Sequence, residues 1–320
     1  MMRRLLLLLT VSGLFAVLLA PRAGQALDLP AGLNLGATSF LDGGPPAGPG
    51  FYFTEYVQYW HFNRINFPDG DKVRLPNGQA QLQAWVSLNQ LIYQSNQSVL
   101  LGGKWGLDLI LPVVALDLDP KQHILTDNGA GIGDLYIGPY LQWDPIMGDK
   151  GPIFMHRIEF QILVPTGRYS DKENLNPGSN FLSLDPYWAG TVFLGPKVSA
   201  SWRLHYLWND KNDDPNKFFY AGVKKVQAGQ AVHLNFAADY EILPHQLRAG
   251  LNGYYLKQVT ASTADGDVIP HSREQVLGIG PGLIYSFSQN DHLFLNVYFE
   301  TAAENRAEGQ RYNLRWVHHF

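Results

Sequence analysis

From about residue 51 to the end, the chain repeats one unit: roughly ten to fifteen residues of apolar–polar alternation, then turn residues. Val198, Ala200, Trp202, Leu204, Tyr206 and Trp208 alternate with Lys197, Ser199, Ser201, Arg203 and His205. Val232, Leu234, Phe236, Ala238, Tyr240 and Ile242 alternate with His233, Asn235, Asp239 and Glu241. Ile158, Phe160, Ile162 and Val164 oppose Arg157, Glu159 and Gln161. In the stretch from Leu82, Ala84, Val86 and Leu88 take one face, and Gln81, Gln83, Ser87 and Asn89 take the other. Successive side chains of a strand point to opposite faces, so each unit reads as a strand between an apolar and a polar environment. Strands of a soluble sandwich average about five or six residues. These are about twice that, close to the nine to eleven that a tilted strand needs to cross a bilayer.

Twelve such stretches start near 51, 79, 99, 131, 152, 181, 197, 229, 246, 275, 291 and 311. An even number suits a single-chain bacterial barrel. Short turns at Ser95–Gln97, Asp144–Gly151, Gly195–Pro196, Pro244–His245 and Gln289–Asn290 alternate with longer links around 64–78, 117–130, 166–180, 209–228, 260–274 and 302–310. Short periplasmic turns and longer external loops produce this alternation. The expected fold is therefore all-β: a closed antiparallel transmembrane barrel of about twelve strands, both ends periplasmic, in the outer membrane of a Gram-negative bacterium.

Composition agrees. Charged residues are 16% of the chain and aromatics 13%, against roughly 25% charged in an average soluble protein. The absence of cysteine excludes a disulfide scaffold, a thiolate metal site and a thiol nucleophile. Arg3 and Arg4, the apolar stretch Leu5 to Leu19 and Gly24-Gln25-Ala26 have the layout of a signal peptide over residues 1–26. Removing it takes away Arg3, Arg4 and Arg22 and no acid, so the formal charge of −4 becomes −7. A mildly acidic chain without a basic cluster is a poor nucleic-acid binder. Residues 27–50 do not alternate and are rich in Gly and Pro. Two readings stand for them, a plug in the lumen and a periplasmic leader; the plug is preferred because Leu33, Leu35, Phe40 and Leu41 would otherwise face water. The barrel proper is assigned to 51–320.

The last residues, Tyr312, Leu314, Trp316, His318 and Phe320, sit at alternate positions and end in an aromatic. The strand resembles the C-terminal signal of outer-membrane barrels, with His318 a departure, which implies the barrel assembly machinery as a partner alongside outer-membrane lipid.

Three short stretches carry a family resemblance: Pro49-Gly50-Phe51-Tyr52-Phe53 with Tyr56, Tyr59 and Trp60; Gly131-Ile132-Gly133-Asp134-Leu135 with Gly138-Pro139 and Trp143; and Val164-Pro165-Thr166-Gly167-Arg168-Tyr169. With the barrel pattern, the chain resembles the MetA-pathway of phenol degradation family of outer-membrane proteins, which includes SphA-like members. The resemblance implies a passive channel or transporter for small hydrophobic or aromatic compounds. The family takes its name from genetic neighbourhood, so no particular solute follows. Read from the residues, the glycines permit tight turns and close strand approach. Pro139 and Pro281, outward within Gly-Pro pairs, interrupt the ladder and curve the wall.

An Arg or Lys facing mid-bilayer costs roughly 2–4 kcal/mol, so the ionisable residues of the strands belong inside. The inward set includes Lys104, Asp108, Asp134, Arg157, Glu159, Arg203, His205, His233, Asp239, Glu241, Arg248 and Arg315. They serve either as structural ion pairs or as a selective constriction. Trp85, Tyr136 and Tyr140 are taken as inward aromatics that stack a solute, with Phe40 facing them from the leader. Two other classes compete with transport: a surface-interaction barrel and an outer-membrane lipid hydrolase. Hydrolysis needs a Ser activated by an oriented His. His271-Ser272 is the one adjacent pair and falls in a loop, so no enzyme activity and no cofactor is assigned. Asp117 with Asp119, or Asp213 with Asp214, reads as solvated loop acid rather than a calcium site, and His318 and His319 point to opposite faces, so no metal is assigned.

Overall fold

A computed structural model describes residues 29–30, 32–45, 48–72, 81–118 and 125–320. The signal-peptide assignment over 1–26 and Asp119 lie outside these residues. Among the described residues there is no helix, and twelve strands form the wall. They are β1 (Gly50–Ile65), β2 (Leu82–Leu100), β3 (Gly103–Leu118), β4 (Ala130–Ile132 and Leu135–Gln142), β5 (Gly151–Glu159 and Ile162–Val164) and β6 (Ser183–Leu184 and Tyr187–Phe193). The second half comprises β7 (Val198–Asn209), β8 (Ala231–Leu243), β9 (Leu247–Gln258), β10 (Gln275–Ser286), β11 (Asp291–Glu304) and β12 (Ala307–His319). Each strand pairs antiparallel with the next, and β12 pairs back onto β1 from Tyr52 opposite His319 to Ile65 opposite Ala307. Closure leaves no free sheet edge, the requirement for strands in lipid.

The start of β1 and the end of β12 lie at the same end of the barrel, as an even strand count demands. Two connections differ from the sequence expectation. The β2–β3 turn is not at Ser95–Gln97: β2 runs on to Leu100 and reverses at Leu101 and Gly102, both with positive φ. The link expected over 302–310 is a tight turn, with Asn305 and Arg306 alone between β11 and β12. Asn305 supplies the left-handed φ of 53° such a turn needs, a conformation that Asn adopts more readily than most residues. Its polar neighbours had made this hairpin look like a long loop.

The outer face carries two aromatic belts. Phe51, Trp105, Tyr240, Tyr285 and Trp316 lie toward the end where β1 starts and β12 finishes, and Tyr206, Tyr255, Phe299 and Tyr312 toward the other. Between them stand aliphatic side chains such as Leu111, Leu251 and Leu295. Tyr and Trp collect at both interfaces of a bilayer because one end of each side chain is apolar and the other polar.

One face assignment reverses. Trp85 is 55% exposed on the outer wall, 4.8 Å from the ring of Tyr59, so it lines no lumen. Ala84, Val86 and Gln90 are among the buried, inward residues of β2. The physical reason is the lumen's own composition. Part of it is apolar, and Val86 and Leu88 line a cavity there. Outside, Ser87 donates to Glu55 Oε1 at 2.7 Å and Asn89 donates to Ser87 at 3.1 Å, so the polar residues of β2 satisfy each other. Polarity alone therefore misreads this strand.

The Gly-Pro pairs coincide with breaks in the ladder. Along β10–β11 the pairing runs to Ile279 opposite Phe299 and resumes at Gly282 opposite Asn296, skipping Gly280 and Pro281 without a change of register. Pro281 has no N–H to give there. Opposite Gly138-Pro139, β5 is interrupted at Phe160 and Gln161, and Phe160 N donates to Pro139 O at 3.0 Å. The Gly133-Asp134 motif is a clamp. Asp134 accepts from Gly167 N at 3.0 Å and from Ser179 N at 2.8 Å, which pins the loop after β5 to the break in β4.

Candidate functional site: the barrel lumen

The described part of the segment before β1 runs along the inside of the wall. A chain crossing a lumen without secondary structure carries backbone groups that need partners, and inward side chains of four strands supply them. Asn235 on β8 accepts from Gly36 N at 3.0 Å and donates to Asn34 O at 3.1 Å. Asn313 on β12 donates to Gly36 O at 3.2 Å and Ala37 O at 3.0 Å. Thr191 on β6 accepts from Gly43 N at 2.9 Å, while Gln142 on β4 donates to Gly43 O at 3.1 Å. Ser39 donates to Asn296 on β11 at 3.3 Å, and the Tyr136 hydroxyl donates to Gly32 O. At Gly43 the segment is pressed so close that a Cβ would stand 2.3 Å from Met155 O and 2.5 Å from Thr191 N.

Apolar side chains seat this segment on both halves of the lumen. Leu33 and Leu35 pack in a cluster with Tyr254, Leu256, Val276 and Tyr298. Phe40, 1% exposed, packs with Tyr52, Ile284, Phe294 and Val317. Gly36, at φ 82°, passes against the rings of Tyr254 and Tyr298. One ion pair completes the attachment. Asp42 accepts from Arg203 Nε at 2.8 Å and from Nη2 at 2.6 Å, a bidentate pair with both side chains more than nine-tenths buried.

Around this segment lie three cavities in series along the wall. The outermost, about 190 Å³, includes Leu33, Leu35, Phe62, Phe181, Phe219 and Val226 in its lining. A neck of about 60 Å³ shares Leu33 and Leu116 with it. The third cavity, about 400 Å³, shares Thr38, Tyr56, Gln90 and Arg203 with the neck and lies toward the end where β1 starts and β12 finishes.

The residues singled out by sequence divide into groups. Tyr140 and Arg157 adjoin each other, the guanidinium 4.2 Å from the ring centroid, and Arg157 Nε donates to Gln142 at 3.1 Å. Glu159, fully buried, accepts from the Tyr187 hydroxyl at 2.5 Å and from Gln161 at 3.3 Å, and Arg203 stacks over Tyr187 at 4.1 Å. His205 and His233 stack at 4.0 Å and share Asp185, which sequence reasoning did not identify. Asp185 lies in the break of β6, where the alternation is lost and its face is not legible. These three ligand types look like a metal set. The rings lie within 16° of parallel, however, so their in-plane nitrogen lone pairs do not converge on one ion. The group is a hydrogen-bonded triad. Asp239 is held apart by Ser199 at 2.5 Å and by Arg248. Lys104 sits at the rim, with Nζ 2.7 Å from Asp144, away from the central residues. Trp85, as described above, faces outward. Ser272 donates to Ile269 O and accepts from Ser262 N, each at 2.8 Å, so its hydroxyl partners are backbone rather than the ring of His271.

A family model described as "Putative MetA-pathway of phenol degradation" matches residues 62–316, most of the wall. The chain belongs to this family. Its fold is similar to that of the COG4313 outer membrane channel from Pseudomonas putida F1, at TM-score 0.73 and 18% identity, over 88% of this chain and 98% of that one. Looser likenesses include the CymD monoaromatic hydrocarbon channel (TM-score 0.42, 9% identity, 86% and 91% covered) and a Pseudomonas aeruginosa FadL homologue (TM-score 0.38, 11% identity, 85% and 90% covered). No curated protein matches the chain in sequence. Family and fold place it among the outer-membrane β-barrels.

The Asp42–Arg203 pair makes a direct prediction. Removing one partner of a buried pair typically costs about 3–5 kcal/mol, because the other charge stays buried without compensation. The chain has no cysteine, so a Ser39→Cys variant carries one thiol. In folded barrels that thiol is expected to react slowly with a charged maleimide, and at least about tenfold faster when Asp42→Ala is added. Equal rates with and without Asp42→Ala would show that the pair does not hold the segment.

Proposed function

We propose that this chain is a passive outer-membrane channel for small hydrophobic or aromatic compounds, and that residues 27–50 act as a plug that must shift for passage. The observation that carries the reading is the series of cavities. An apolar cavity of about 150 Å³ suffices for a benzene ring. The outer cavity at about 190 Å³ and the inner at about 400 Å³ are large enough, and the neck at about 60 Å³ is not. The neck is bordered by Leu33, Asn34, Ala37 and Thr38 of the inserted segment, so movement of that segment widens it. The polar wall residues that hold the segment also face the route, and the apolar lining at the outer mouth favours solutes that leave water readily.

The proposal assigns no catalysis. It also assigns the C-terminal strand as the contact for the barrel assembly machinery. Tyr312, Leu314, Trp316 and Phe320 are exposed on the lipid side. His318, the departure from the usual pattern, takes Asp291 as partner at 2.7 Å and lies beside the ring of Phe320, so its polarity is satisfied at the rim.

Deletion of residues 29–48 with the signal peptide retained is expected to raise single-channel conductance and the leak of hydrophilic antibiotics. Conductance unchanged from the full chain would reject the plug. Replacing both Trp316 and Phe320 by polar residues is expected to lower the amount of heat-modifiable barrel in the outer membrane. A normal level of folded barrel would mean that the terminal strand is not what the assembly machinery reads.

A further inference from the structure

The inner cavity contains a chemistry that a channel for neutral hydrocarbons does not need. Four arginines line it: Arg157, Arg203 and Arg315, each more than nine-tenths buried, and Arg248, which pairs with Asp239 and Glu241. Arg203 is neutralised by Asp42. For Arg157 and Arg315, no carboxylate among the described residues lies within ion-pair distance. Glu159 and Asp108 attract Arg157 from beyond ion-pair distance, while their hydrogen bonds go to neutral groups: Glu159 to Tyr187 and Gln161, and Asp108 to Gln90 at 2.6 Å. Arg315 lies 3.6 Å over the ring of Phe294, and its buried Nε has no hydrogen-bond partner. A buried guanidinium without a carboxylate at ion-pair distance is costly unless an anion compensates it. The cavity also has apolar walls, with Phe40, Ile92 and Phe294 among them, beside polar groups such as Gln90, Ser286 and His292.

We propose that the inner cavity is a binding site for organic acids with an apolar body, such as aromatic or short-chain carboxylates. The carboxylate accepts from Arg315 and Arg157, and the ring or chain lies against Phe40, Ile92 and Phe294. The guanidinium fork suits a planar carboxylate, and the aromatic faces beside it leave the cation only partly compensated until an anion arrives. This deepens the channel reading above by naming the solute class that the inner half retains. It rests on that reading only for the idea that solutes reach the cavity.

The test uses the full-length barrel in lipid vesicles, with radiolabelled benzoate and benzyl alcohol as probes that differ mainly in charge. Benzoate is expected to bind at least about tenfold more tightly than benzyl alcohol, the scale of one hydrogen bond to a charged group. Its affinity should fall by a similar factor in Arg315→Met and further when Arg157→Met is added, while inorganic phosphate competes weakly. Equal binding of the two probes by the wild-type barrel overturns the proposal without any variant, so misfolding of the arginine variants leaves it testable. Phosphate competing as well as benzoate also overturns it, since the site would then ignore the apolar body. Vesicle flux is measured beside binding. Benzyl alcohol flux without charge discrimination in binding would sink this site and keep the channel. Selective benzoate binding without flux of either probe would keep the site and sink the channel.

Discussion

Backbone amides in a bilayer must find partners within the protein, and everything else in this structure follows from that demand. The wall meets it by closing β12 onto β1. Closure creates a lumen, and a twelve-strand lumen is larger than its own side chains fill, since about eight strands already give an interior that side chains alone just occupy. The segment before β1 enters that space and brings a second set of unpaired amides. Asn235, Asn313, Thr191 and Gln142 serve these groups from four different strands. Each such bond contributes only about 0.5–1.5 kcal/mol net. The attachment is therefore distributed, with the Asp42–Arg203 pair as its one charged fastening. Such an attachment holds a segment in place yet allows it to loosen in parts.

The same constraint sorts the charges of the lumen. Most acids found inside are taken: Glu300 by Arg311 at 3.0 Å and by Tyr254 at 2.6 Å, Asp239 by Arg248, and Asp185 by two histidines. These are structural contacts, and they account for Asp239, Arg248, His205 and His233 among the ionisable residues that alternation placed inside. Arg157 and Arg315 stand out because they follow the rule of facing inward without the rule of being paired. Selectivity, on this account, resides in the few polar groups that the architecture leaves over.

How much of this the sequence shows depends on what each strand borders. Where one side is lipid and the other polar, as at Val198–Asn209 or Ala231–Leu243, alternation gives the face of every residue, and Arg203, His205, His233 and Asp239 lie inside as expected. Where the lumen itself is apolar the signal inverts, which is why Trp85 was placed on the wrong side of β2. Where a strand breaks, as in β6 between Leu184 and Tyr187, the period is lost and Asp185 goes unseen. The leader's apolar residues argued for insertion. Its partners, by contrast, are an assortment of Asn, Gln, Thr and Ser spread over the chain, and their convergence is a property of closure that no local pattern encodes.

The central claim is that the inserted segment lies in the lumen and controls passage. Ser39 Oγ is 3.3 Å from Asn296 Oδ1, and the chain is free of cysteine, so Ser39→Cys with Asn296→Cys places two thiols at that contact. The decisive measurement is flux of a neutral aromatic such as toluene into vesicles holding this double variant, under oxidising and then reducing conditions. The account predicts that the disulfide forms, that flux falls when it does, and that a reductant restores it. A disulfide that forms without changing flux, or thiols that never pair in the folded barrel, would contradict it.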